Sequence, residues 1–278
     1  MNLVAADVRR LTLPYPAMSR NLPTPAATID DMNLSIHPDA DAANAAAAEC
    51  LADWLTQPTT RNVMVAGGNT PLDLYRRIAE RRLKLSRLNI FALDEYVGVP
   101  LDEPRNCANL LRRVVADAWG IPRAQFFAVS SLDADALTSV QDHESRIARS
   151  DGLDVIVLGL GQNGHLGFNE PGSAENATGR VLDLDSVSVE ANRKWFGGDY
   201  APAKGVTVGL GTILGARHVL IMAYGPHKVA AVSSMVEGPR NSQCPASYLQ
   251  DHPDTRVFLD EAAASNLNRQ HVRHSRRT

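Results

Sequence analysis

Apolar and polar positions fall into blocks along this chain, and the spacing inside the blocks alternates between two periods. Val155 to Leu158 is an unbroken apolar run, the pattern of a strand buried on both faces. Asn62 to Ala66 (NVMVA), Asn89 to Leu93, Val219 to Ala223 and Val257 to Leu259 are short runs of the same kind. Between them the spacing turns helical. Ala42 to Leu55 is alanine-rich, and Pro71 to Arg82 places Leu74, Tyr75 and Ile78 on one side. Further helices are predicted at Leu110 to Ala118, around Val140 to Ala148, and where Val229, Val232 and Val236 share a face. Strands separated by helices of this length predict an α/β protein with a Rossmann-like, mostly parallel sheet covered by helices on both faces.

Residues 1–32 break this rhythm with Pro14, Pro16, Pro23 and Pro25, which predicts an irregular extension. The domain is expected over 33–265, with 266–278 as a basic, solvated tail that includes Arg273, Arg276 and Arg277.

Composition narrows the function classes. The chain has 278 residues, 44% of them hydrophobic and 21% charged, and a net charge of −3. That balance carries no electrostatic footprint for nucleic acid. No apolar run approaches a membrane span, and no signal-peptide pattern opens the chain, so a cytoplasmic location is expected. Cys50, Cys107 and Cys244 are too few and too scattered for a disulfide framework or a zinc site.

Three constellations carry chemistry. After the strand at Val155 the chain breaks into a loop with glycines at 159, 161, 164 and 167, which holds Asn163, His165 and Glu170. A histidine that titrates near neutrality beside a carboxylate, at the carboxyl end of a buried parallel strand, reads as acid–base machinery. Metal-ligand spacing is missing, so no metal is expected. Of the other histidines, His37, His218 and His271 read as surface or boundary residues.

The second constellation is Gly67-Gly68-Asn69-Thr70 before Pro71, between a strand and a helix. Glycines ahead of a helix leave backbone N–H groups free for an anion such as phosphate. The same residues also make a tight turn with Thr70 as the cap. The third is Asp94, at the end of the Asn89 strand, which reads as a base or as an exposed turn carboxylate; Glu95 has the weaker claim, because successive residues point apart. Lys228, just after Gly225-Pro226, is placed either for a charge contact with phosphate or as a solvated first-turn lysine.

Taken together, GGNTPLDLY at 67–75, LDEYVGVP at 93–100, GLGQNGHLGFNEPGS at 159–173, VTVGLGTIL at 206–214, GPHK at 225–228 and PASYLQDHPD at 245–254 resemble the glucosamine-6-phosphate deaminase (isomerase) family, which shares its fold with 6-phosphogluconolactonases. The resemblance implies a cofactor-free conversion of a hexosamine 6-phosphate and water to a ketohexose 6-phosphate and ammonia, with glucosamine and galactosamine 6-phosphates as the two candidates. It places Asp94 as the base at C2, His165 as the ring-opening histidine and Glu170 as its supporting carboxylate. Gly67, Gly68, Asn69, Thr70 and Lys228 fall on phosphate contacts. Lys194 aligns with a phosphate-binding arginine, with Arg193 beside it.

Asn163 stands where many members carry aspartate. Arg180 and Ser173 match positions of the family's allosteric site, but Leu182 replaces its basic residue, which argues against activation by an N-acetylated sugar phosphate. The implied partner is a small phosphosugar, with neither nucleic acid nor membrane, and a homo-oligomer is compatible with the chain. The competing readings are a 6-phosphogluconolactonase-like hydrolase, against which the run Phe168-Asn169-Glu170-Pro171 argues, and a non-catalytic sugar-phosphate-binding protein.

Overall fold

A computed structural model describes residues 32–268. The expected irregular extension, except Met32, and most of the basic tail, including His271, lie outside the described residues.

The backbone is a seven-stranded parallel sheet in the order β1 (Met32–His37), β10 (Thr255–Asp260), β9 (His218–Ala223), β6 (Val155–Gly159), β2 (Asn62–Val65), β3 (Asn89–Ala92), β5 (Phe126–Phe127). Every pairing in it is parallel. The helices α1 (Ala40–Thr56), α2 (Leu72–Glu80), α3 (Cys107–Leu111), α4 (Asp133–Arg149) and α7 (Val229–Val236) connect or flank these strands.

The strand β6 shows why the apolar run reads as it does. Val155 and Val157 enter the hydrophobic cluster on one face, and Ile156 and Leu158 enter the cluster on the other. Each of the four is fully buried. From β2 the chain steps outward through β3 to β5, then returns to place β6 on the opposite side of β2. The reversal puts a topological switch point between the carboxyl ends of β2 and β6, where open α/β sheets bind ligands. The Gly67 loop follows β2 and the His165 loop follows β6, so both open onto that crevice.

A second, antiparallel sheet lies outside the sequence expectation. It joins β4 (Asp94–Tyr96), β8 (Lys204–Thr207) and β7 (Arg180–Asp183), with Asp94 and Arg180 both paired to Thr207. Between β7 and β8 runs α5 (Ser186–Trp195), and α6 (Leu210–Leu214) follows β8.

Helix starts differ in two instructive places. The helix expected from Pro71 begins at Leu72, and Thr70 makes no capping bond, so that part of the turn-and-cap reading fails. The helix expected from Leu110 begins at Cys107, because Asn106 caps it by accepting the Asn109 N–H at 2.8 Å.

Candidate active site

Two buried anchors, Leu166 and Phe168, tie the loop after β6 to the core. Gly161 accepts the ring of His165 against its own backbone: a Cβ there would come within 2.4 Å of the imidazole carbons. Any side chain there would force the His165 ring to move. From below, Ala246 donates its N–H to the Gly164 carbonyl at 2.9 Å, which gives the 245–254 segment a structural part in the loop.

Glu170 is buried at the centre of a polar cluster. Its Oε2 accepts from Asn163 Nδ2 at 2.7 Å and faces His165 Nδ1 at 3.2 Å. Its Oε1 accepts from the Ser188 hydroxyl, carried on α5. Burial raises the pKa of this carboxyl. Hydrogen bonding and charge from His165, with the bonds from Ser188 and Asn163, outweigh that and hold it at about 2.

Asp94 presents the opposite case. It is buried, which removes the reading as an exposed turn carboxylate. Burial pushes its pKa up to about 7, the neighbouring Glu95 charge adds to the rise, and the Cys107 thiol, 3.7 Å from Oδ1, opposes it. Glu95 points away into the start of α3, where its carboxylate accepts the backbone N–H groups of Tyr96, Cys107 and Ala108 at 2.8 to 3.0 Å. That is a structural cap, as its weaker claim to chemistry anticipates.

The glycine loop joins Asp94 through the same thiol. A Cβ on Gly67 would lie 2.9 Å from Cys107 Sγ, so the loop backbone packs directly on the residue that touches Asp94. Gly68 adopts φ +85°, Asn69 is exposed, and Thr70 rests against Gly159 at the end of β6. Lys228 is half-buried and donates from Nζ to the Leu160 carbonyl at 2.6 Å, so it is not a freely solvated lysine. Burial lowers its pKa. One bond to Leu160 leaves two of its three N–H donors for another acceptor.

Arg193 and Lys194 are not gathered in with these residues. Both are exposed at the end of α5, with ion pairs to Glu190 of the same helix at 3.7 and 3.5 Å. No hydrogen bond or ion pair joins them to the glycine loop among the described residues.

Sequence reasoning missed Ser188 entirely. Its signal was faint but present: Asp185 precedes it as a helix cap, accepting the Val187 N–H at 2.9 Å, and Ser188 and Asn192 stand one turn apart on the buried face. Arg180 also belongs to the surroundings of the site. It donates to Asn169 Oδ1 at 2.8 Å and to Ser173 Oγ at 2.7 Å, and Ser173 in turn donates to the Glu170 carbonyl at 2.6 Å.

A parallel α/β sheet with an acid–base cluster and a glycine loop at its switch point defines the class: a small-molecule site of the doubly wound kind. The family profile described as glucosamine-6-phosphate isomerases/6-phosphogluconolactonase matches residues 38–258, and the chain belongs to that family. It is 38% identical over 241 residues to a glucosamine-6-phosphate deaminase of Cutibacterium acnes, spanning 85% of this chain and 92% of the relative. It is likewise 38% identical to one from Streptomyces coelicolor, over 85% of this chain and 93% of the relative. Among solved structures, a monomeric glucosamine-6-phosphate deaminase superposes with TM-score 0.80 at 28% identity, covering 84% of this chain and 99% of that one. The 6-phosphogluconolactonase of Trypanosoma brucei shares the fold at TM-score 0.70 and 23% identity, over 85% and 98% of the two chains.

Proposed function

We propose that this protein is a hexosamine-6-phosphate deaminase, with glucosamine 6-phosphate as its leading substrate and galactosamine 6-phosphate as the alternative epimer. The observation that carries the reading is the placing, after neighbouring parts of one sheet, of buried Asp94 with Oδ2 free among the described residues and of His165 held by buried Glu170 at 3.2 Å. A carboxylate base and a histidine that can move a proton are what ring opening followed by proton abstraction next to a carbonyl requires.

In this reading His165 moves a proton between the C1 hydroxyl and the ring oxygen, which opens the pyranose. Glu170 orients the imidazole and stabilises it when it is charged. Asp94 then removes the C2 proton, giving an enolamine. Protonation at C1 produces an imine at C2, and water hydrolyses it to the ketone and ammonia. Asp94 Oδ1 meets the Cys107 thiol and Oδ2 accepts no hydrogen bond among the described residues, which leaves Oδ2 to meet C2. The backbone of Gly67, Gly68, Asn69 and Thr70, with Lys228, holds the phosphate. Arg193 and Lys194 add charge from α5, since their exposed pairs with Glu190 cost little to break. Remote phosphate binding fixes C2 against the base.

The catalytic domain is read as 33–265, acting on a free phosphosugar in the cytoplasm. Ammonia release from each amino sugar 6-phosphate, beside 6-phosphogluconolactone hydrolysis, tests the assignment. Ammonia from at least one amino sugar and no appreciable lactone hydrolysis are expected, and the reverse pattern would replace the deaminase with the lactonase reading.

A further inference from the structure

Val189 and Trp195 of α5 pack partly buried against the core, but the most deeply buried positions of this helix are polar. Its two buried residues are Ser188 and Asn192. Asn192 is accounted for by the Pro202 carbonyl, which it meets at 3.1 Å. Ser188, 4% exposed, is accounted for only by the candidate active site. Burying a hydroxyl is costly unless its bonds are made, so its place there needs a reason.

The hydrogen-bond roles around it are fixed by counting protons. Ionised Glu170 only accepts. The single hydroxyl proton of Ser188 is therefore the one in the bond to Glu170 Oε1. With that proton committed, the Ser188 oxygen can meet His165 Nδ1, 3.4 Å away, only as an acceptor. Glu170 Oε2, at 3.2 Å from the same nitrogen, is an acceptor as well. Two acceptors face Nδ1, and Nε2 has no partner among the described residues.

We propose that Ser188 is a positioning residue that, together with Glu170, holds neutral His165 in the tautomer with its proton on Nδ1 and a bare Nε2 facing substrate. A bare Nε2 is what a histidine needs to take the proton of the C1 hydroxyl. A neutral histidine side chain free in water favours the other tautomer, with the proton on Nε2, so the preference must be imposed by neighbours. Glu170 Oε2 is already shared with Asn163 Nδ2 at 2.7 Å, which weakens its hold on Nδ1 and gives the second acceptor its purpose. Because Ser188 sits on the same helix as Arg193 and Lys194, the element that carries candidate phosphate contacts also sets the state of the histidine.

The chemical purpose rests on the deaminase reading, but the tautomer can be read without turnover. Protein labelled with ¹⁵N-histidine is examined by long-range ¹H–¹⁵N correlation above the imidazole titration, with His165 assigned by its loss in His165→Asn. The wild type is expected to show a protonated Nδ1 and a bare Nε2. Ser188→Ala should move His165 toward the Nε2-protonated form and lower kcat about tenfold with KM nearly unchanged, the loss of one hydrogen bond to a charged group. Ser188→Thr, which keeps the hydroxyl, should restore both.

A Ser188→Ala spectrum identical to the wild type would overturn the proposal, whatever its effect on melting temperature. A tautomer shift in a protein that releases no ammonia would uphold the positioning role and remove the deaminase reading. Ammonia release with an indifferent tautomer would do the opposite.

Discussion

Asp94 and Glu170 are both buried carboxyls, yet their surroundings drive them in opposite directions. Glu170 is met by three side-chain donors, whereas Asp94 is met by one thiol and the like charge of Glu95. If Asp94 is the base, it works only when ionised, so kcat/KM should rise as pH increases through about 7 and level off above. The Cys107 thiol stabilises the ionised form, and Cys107→Ala should therefore move this acidic limb to higher pH, which a pH–rate profile reads directly.

Stability should follow the same split. The folded pKa of Asp94 lies above its ordinary 3.8, so between about 4 and 7 the native state holds the extra proton and stability falls as pH rises. Asp94→Asn removes that penalty and should raise Tm by roughly 3 °C or more at pH 8, with the gain gone near pH 4. Glu170 lies below its ordinary 4.5, so its contribution is present above 4.5 and is lost as pH falls through about 2. Glu170→Gln should accordingly lower Tm at pH 7. Thermal melts of the two variants at pH 7 to 8 should therefore shift in opposite directions.

Among the elements, the loop after β6 and the helix α5 carry most of the proposed site, and they are unequally legible in the sequence. The loop was readable because Gly161, His165 and Glu170 are residue types that chemistry singles out, set after a strand whose burial the apolar run announces. The small sheet was not. Its strands β7 and β8, RVLD and KGVT, are too short and mixed to show a period, and pairing with β4 makes them strands. Nor does α5 show an apolar stripe, because its buried residues are Ser188 and Asn192.

Two variants test these elements. Gly161→Ala forces the His165 ring aside and, if His165 opens the sugar ring as proposed, should cut kcat about a hundredfold while a folded far-UV spectrum is kept. Lys194→Ala should raise KM about fivefold with kcat little changed if α5 adds charge to the phosphate site, and steady-state kinetics separate the two effects.

At the scale of the whole molecule, the parallel sheet brings three distant stretches together. The loop after β2, the end of β3 and the loop after β6 meet because β2 and β6 are neighbours across the reversal in strand order. The order of strands cannot be read from alternating blocks alone, since several doubly wound arrangements share the same βα rhythm. What the motifs supplied was the expectation that these three stretches converge, and the register of β2 with both β3 and β6 is what accomplishes it. Lys194, which aligns with a phosphate-binding arginine, and Arg193 beside it pair with Glu190 in this conformation.

The reaction itself is read by following glucosamine 6-phosphate and galactosamine 6-phosphate by NMR in the presence of the protein, watching the C2 hydrogen together with ammonium. For at least one sugar a deaminase consumes the C2 signal while ketohexose 6-phosphate and ammonium appear in equal amounts, and Asp94→Asn abolishes both. Recovery of both sugars from the wild type with the C2 hydrogen intact and no ammonium formed would contradict the deaminase reading.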